Sequence, residues 1–263
     1  MKKIKLTIIV VLCIFNNQVF SQDVFIPPDV VESPMPMRMI YGIIEHQKEW
    51  LDLNYSKDCN IEFKNDSLKI SHSRDQKYLK TIEIEAFDGL FFSTYNGHFD
   101  RKLKYISNKN KDIEVEINTH NIVFLFQFND KIYFIESNYD VVTRNKPVYS
   151  KTKSIMVGSQ NASLCEIYMK NGAFFTKKVL DFDEKPLVMN IFNDKIFFAS
   201  YSNFYAVENM KIKSKLEDIY WSGLYPNSIA VKNEENIFVG IRGGFVKIDL
   251  ITRKINFYKY FPK

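Results

Sequence analysis

The chain has 263 residues, 46% of them hydrophobic and 15% aromatic, with 36 Lys and Arg against 31 Asp and Glu for a net charge of +5. That length is ample for a well-buried core. Three of the lysines, Lys2, Lys3 and Lys5, belong to the first 21 residues; without them 33 cations face 31 acids, a balance of +2 that gives no support to nucleic-acid binding.

Residues Met1 to Ser21 read as a cleaved export signal, with a basic start, an apolar run from Leu6 to Phe15, and Val19-Phe20-Ser21 ahead of Gln22. The run is too short for a comfortable membrane span, and no later stretch of 18 uncharged apolar residues supplies an anchor to the mature chain. Cys13 follows Val10-Val11-Leu12 and lacks the small residues of a lipidation site, so the sequence predicts a periplasmic or secreted protein. From Gln22 to Arg38, Pro27, Pro28, Pro34 and Pro36 predict an extended, non-helical segment, either bound to the body or serving as a tether. Met39 to Asn54 is compatible with a strand or a short helix.

From about Asn60 the pattern is β. Ile61-Glu62-Phe63, Leu68-Lys69-Ile70 and Tyr78 to Ile84 alternate apolar with polar side chains, and Asn96-Gly97 predicts a hairpin turn. A phrase of polar turn and aromatic strand then recurs as Asn129-Asp130-Lys131-Ile132-Tyr133-Phe134, Asn193-Asp194-Lys195-Ile196-Phe197-Phe198 and Glu234-Glu235-Asn236-Ile237-Phe238-Val239. A fainter copy, Asp88-Gly89-Leu90-Phe91-Phe92, precedes the first by 42 residues, and the last two lie 41 apart. The spacing of 64 between the first two full copies predicts an insertion near residues 139–159, with Leu164 to Met169 and Ala173 to Thr176 completing the interrupted sheet. Each second strand is apolar at consecutive positions, which requires neighbours on both faces. Small sheets repeated at this period bury themselves only by stacking, so the expectation is an all-β chain, one β-propeller domain over residues 39–263 with five or six mostly four-stranded blades.

Chemistry is harder to find. No nucleophile elbow, zinc-binding helix, phosphate loop or dinucleotide fingerprint is present, and His46, His72, His98 and His120 lack ligand spacing. Cys59 and Cys165 form either one long-range disulfide or two buried thiols, and Asp181, Asp183 and Glu184 read as a solvated turn. Tyr95, His98, Asp100 and Arg101 gather reactive types beside the Asn-Gly turn. Tyr220, Trp221 and Tyr225 place three large aromatics where one repeat passes to the next, suited either to stacking on a ligand or to filling the seam. Arg242 precedes the paired glycines Gly243 and Gly244 at the following turn.

Asn227-Ser228-Ile229-Ala230-Val231, Asn236-Ile237-Phe238-Val239-Gly240 and Gly243 to Leu250 resemble the inner, second and third strands of a terminal blade in bacterial propeller proteins of the quinoprotein-like or two-component-sensor type. The resemblance covers Leu187 to Leu216 and Asn227 to Tyr258 well. It implies the propeller fold; the tryptophan docking signature of quinoprotein blades is missing, so no cofactor is expected. The function that follows is recognition of another protein or a surface glycan, in a specialised form as a periplasmic immunity or inhibitor protein. The alternative is a carbohydrate-active hydrolase or lyase using His98, Asp100, Arg101 and Tyr220.

Overall fold

The structure is a computed structural model, and it describes residues 26, 30–35, 44–65, 67–73, 82–93, 101–137, 161–221 and 223–260. The export signal, the segment at 139–159, and Tyr95, His98 and Asp100 lie outside the described residues.

A short strand, β1 (Val30–Ser33), precedes the helix α1 (Ile44–Asn54). Five antiparallel sheets follow in chain order. Sheet I is the hairpin β2 (Asp58–Lys64) and β3 (Ser67–Ser73). Sheet II contains β4 (Ile82–Ala86), β5 (Gly89–Ser93), β6 (Leu103–Ser107) and β7 (Asn110–Ile117). Sheet III contains β8 (Asn121–Phe128), β9 (Lys131–Ser137), β10 (Ala162–Lys170) and β11 (Ala173–Phe182), so the strands after the long connection complete it. Sheet IV contains β12 (Pro186–Phe192), β13 (Lys195–Ser200), β14 (Phe204–Glu208) and β15 (Lys211–Leu216). Sheet V contains β16 (Ser228–Asn233), β17 (Asn236–Ile241), β18 (Gly244–Asp249) and β19 (Lys254–Tyr260). The proline-flanked β1 adds a fifth strand to sheet V, pairing Val30 with Tyr260 and Ser33 with Phe257.

Each meander runs in sequence order from first strand to last, and its burial follows that order. The middle strands of sheets IV and V are buried almost throughout: Phe197, Phe198, Phe204 and Tyr205 in one, Phe238, Val239, Phe245 and Val246 in the other. The last strands β7 and β11 are largely exposed. Consecutive apolar residues in the middle strands are accounted for by neighbours on both sides. One core cluster joins sheet II to III through Phe91, Tyr105, Ile132 and Phe134, a second joins III to IV through Ile135, Phe182, Phe198 and Tyr205, and a third joins IV to V through Phe197, Ala206, Ile237 and Val239. Sheet I packs on V through Cys59, Ile61, Leu68 and Phe238.

At three of the four seams first strands meet first strands: β4 lies against β8, β12 against β16, and β16 against β2. No core cluster spans sheets I and II among the described residues, so the row of five has four packed seams. Compared with the sequence expectation, three sheets are four-stranded, the first holds two strands and the last five.

The undecided segment before the first hairpin is helical from Ile44 to Asn54, and Trp50 and Leu53 enter the same core as Trp221 and Leu224. This helix covers one end of the core between sheets IV and V. Gly223 and Gly243, both at positive φ (81° and 75°), leave room for it, since a Cβ at the first would press on the Trp50 ring and at the second on Leu53.

Truncating Phe198, which is 0% exposed between sheets III and IV, is expected to cost about 3–5 kcal/mol in urea unfolding, whereas Ile113→Ala on exposed β7 stays within about 0.5 kcal/mol.

Candidate functional site

An antiparallel meander sends alternate connections to opposite ends of its sheet, and here the two ends differ. At one end the hairpins are closed by short turns with residues at positive φ, among them Phe87-Asp88, Asn129-Asp130, Asn193-Asp194 and Asn209-Met210. Asparagine and aspartate tolerate that conformation, which explains the recurrent Asn-Asp phrase. The other end carries the β5–β6, β9–β10, β13–β14 and β17–β18 connections together with every passage from sheet II onward to the next sheet. Backbone bonds tie these loops to one another: Ile122 donates to the carbonyl of Arg101 at 3.0 Å, Ile219 to Ser202 at 2.7 Å, and Arg242 to Leu224 at 2.8 Å. Arg101, Tyr220, Trp221, Tyr225 and Arg242 all belong to this loop end.

Within it the structure brings Tyr225 and Arg242 together. The Arg242 guanidinium carbon lies 4.2 Å from the centre of the Tyr225 ring, a stacking distance at which the ring face attracts the cation. Its Nε donates to Asp58 Oδ1 at 3.2 Å and its Nη1 to the carbonyl of Asn54 at 3.1 Å. The Asp58 side chain is 7% exposed, so this arginine neutralises a buried carboxylate at the start of sheet I and satisfies a carbonyl at the end of α1. Asn54 in turn donates from Nδ2 to the carbonyl of Gly223. Tyr225 is 37% exposed and sits at φ 52°, a left-handed conformation costly for a bulky residue. Asp218, at φ 55°, also adopts the left-handed region in the same connection, where aspartate is tolerated. A strained backbone thus holds an aromatic ring at the surface on an arginine that cannot swing away.

Tyr220 and Trp221 are placed inside the protein and offer no face to a ligand. Trp221 is fully buried, with Nε1 donating to the Ser200 carbonyl at 3.2 Å. Tyr220 packs edge-on against Phe257, and its buried hydroxyl has no hydrogen-bond partner; desolvation holds its pKa well above the usual phenol range. Both fill the passage from sheet IV to sheet V, because the apolar ends of two sheets need a cover there.

One polar centre escaped the sequence reading. Asp181 and Asp183 are exposed as a solvated turn requires, but Glu184 is buried and accepts hydrogen bonds from Ser200 Oγ at 2.7 Å, from the Ser202 amide at 2.8 Å and from Ser202 Oγ. Asn203 extends the network, donating from Nδ2 to the Tyr205 hydroxyl at 3.1 Å and accepting from the Asp218 amide at 3.2 Å. The carboxylate fixes the short β13–β14 loop against the β11–β12 passage. The signal for it was the polar run Ser200 to Asn203 between two apolar strands. Lys185 follows Glu184 and is half-buried; desolvation and the charge of Arg101 both lower its pKa, so these two cations, from sheets III–IV and II, stand near one another at the loop end.

Cys59 and Cys165 are both buried and not disulfide-bonded, in different core clusters, the first between sheets I and V and the second between II and III. The disulfide alternative is therefore set aside in favour of two thiols. Burial, with Glu136 nearby, pushes Cys165 up to about 12. His72 stacks on Tyr260 at 4.0 Å and His120 lies in the passage from sheet II to III, so these two do not converge. Among the described residues no three His, Cys, Asp or Glu side chains gather as a metal site, and no helix is long and apolar enough to cross a membrane.

No protein-family description matches this chain, and no curated protein matches it. Among solved structures it is similar to the computationally designed protein Ika8, at 8% identity and a TM-score of 0.39 over 76% of this chain. It is also similar to BamB from Moraxella catarrhalis, at 9% identity and a TM-score of 0.37 over 86% of this chain. The chain spans 57% and 61% of the lengths of those two structures. Likenesses this distant carry no argument about function.

Replacing Tyr225 by glycine, which adopts positive φ freely, is expected to leave stability within about 1 kcal/mol of the parent, whereas Arg242→Ala strands the Asp58 carboxylate and costs roughly 3–5 kcal/mol. Thermal and urea unfolding of both variants check the difference. For Cys165 the folded thiol ionises above its ordinary value of 9.0, so the stability associated with the protonated form is complete below pH 9 and is lost as pH rises toward about 12. At pH 8 its alkylation should proceed only as fast as the protein opens, and rapid labelling of the native protein would contradict this burial.

Proposed function

We propose that this is an exported recognition protein whose sheets form a propeller-type array and whose loop end binds another protein or a surface glycan. The observation that carries the reading is the difference between the two ends: hairpin turns at one, and at the other the passages between sheets with an exposed Tyr225 held in a strained backbone over Arg242. Rigid sheets that present loops of this kind are a common arrangement for binding, since the sheets fix position and the loops supply contacts. Tyrosine and arginine are the residue types that dominate binding energy at such surfaces. Export, read from the first 21 residues, places the partner in the envelope or outside the cell. The specialised form is a periplasmic immunity or inhibitor protein, in which the loop end occludes the active surface of another protein.

The first-strand margin, where the sheets converge, supports the propeller-type reading of five blades, with the two-stranded sheet I as the smallest. Tyr95, His98 and Asp100 lie between β5 and β6 in the sequence and enter the reading from the sequence alone.

The test is affinity capture from envelope extracts with the chain from Gln22 onward, comparing the parent with Tyr225→Gly. The reading predicts one reproducible protein or polysaccharide whose capture falls about tenfold in the variant, a loss of roughly 1.4 kcal/mol. Capture that is unchanged by Tyr225→Gly, or a bound glycan that is cleaved, would overturn it.

A further inference from the structure

Among the described residues, sheet II has a neighbour on one face only. Ile84, Phe91 and Tyr105 point toward sheet III and share its core. The opposite face is set by strand register as two rows running across the four strands: Glu83, Phe92, Lys104 and Glu116 in one, Glu85, Leu90, Ile106 and Glu114 in the other. The glutamates occupy the two outer strands and are exposed, while Leu90, Phe92 and Ile106 form a half-buried apolar centre that belongs to none of the core clusters. Lys104 is the one cation in these rows, and it is paired with Glu114 at 2.6 Å. Four carboxylates against one ammonium leave three negative charges around an apolar patch.

A closed array would set sheet I against this face. Sheet I is unsuited to it. Its apolar side, Cys59, Ile61 and Phe63, is turned toward sheet V, and the side left over carries Asn60, Glu62, Lys64, Ser67, Lys69 and Ser71. Nothing on that side can cover Leu90, Phe92 and Ile106 with apolar surface.

We propose that the outer face of sheet II is the docking surface of a protein partner that presents an apolar centre rimmed by lysine or arginine, and that the partner occupies the seam sheet I leaves open. An apolar middle with a charged rim is the anatomy of protein interfaces, and the sign of the rim selects a cationic partner while repelling nucleic acids and acidic glycans. The surface lies on a sheet face, away from the loop end, and is independent of the reading given for Tyr225.

The test is a titration of isotope-labelled protein with a short peptide of alternating valine and lysine, followed by amide resonances, with a valine–glutamate peptide as control. The expected result is binding of the basic peptide alone, with shifts confined to Leu90, Phe92, Lys104, Ile106 and their neighbours, weakened by added salt. Affinity should fall about tenfold in the double variant Glu83→Lys, Glu116→Lys and remain unchanged in Glu62→Lys on sheet I, which shows that a loss is local. Absence of binding, shifts located elsewhere, equal binding by the double variant, or contacts in the free protein between the Phe92 ring and sheet I would each overturn the proposal. None of those outcomes bears on the loop end, which is probed separately by Tyr225→Gly.

Discussion

Everything in this molecule depends on how a small meander hides two apolar faces at once. A sheet of four short strands has too little interior of its own, so its second and third strands must be covered above and below by other sheets. Phe197 and Phe198 illustrate the constraint, since they are adjacent, point to opposite faces, and are both fully buried, one against sheet V and the other against sheet III. Repetition satisfies this requirement for the inner members of the row. At the ends of the row something else has to.

The two ends are handled differently. At sheet V the chain brings in three pieces of its own N-terminal part: the hairpin of sheet I on one face, β1 along the outer edge, and α1 across the loop-side end. The Asp58–Arg242 pair locks this assembly, because a buried carboxylate from the hairpin is neutralised only when the last sheet is in place. Gly240 is part of the same closure, for a Cβ there would collide with the carbonyl of Cys59 and with the Ser228 hydroxyl. At sheet II the outer face instead keeps glutamates around an apolar centre. Among the described residues, that asymmetry covers one end of the row and leaves the other without a neighbour.

Much of the repeated part was legible in the sequence because it depends on local rules. Asn193-Asp194 forecasts a tight turn, and the structure puts both residues at positive φ; the unbroken apolar run Ile196 to Ala199 forecasts cover on both faces, and both faces are covered. The parts that could not be read depend on distant partners. Val30 to Ser33 is a strand only because Phe257 to Tyr260 offers an open edge, and Ile44 to Asn54 is a helix whose burial depends on Trp221 and Leu224. Glu184 looked like one more surface acid until Ser200 and Ser202 arrived from the next sheet to accommodate its charge. Among the site residues, Tyr225 and Arg242 were visible as types, but their stacking, and the burial of Trp221 that removes it from any surface, arise from packing between repeats.

Hydrogen exchange resolved by strand tests the central claim most directly, because amides in a sheet covered on both faces open only when the whole array opens. The account predicts that β13, β14, β17 and β18 exchange at the rate of global unfolding and that β5 and β6, covered on one face, exchange measurably faster. Equal protection of β5, β6 and the middle strands of sheets IV and V would contradict it, since sheet II would then have a second neighbour within its own chain.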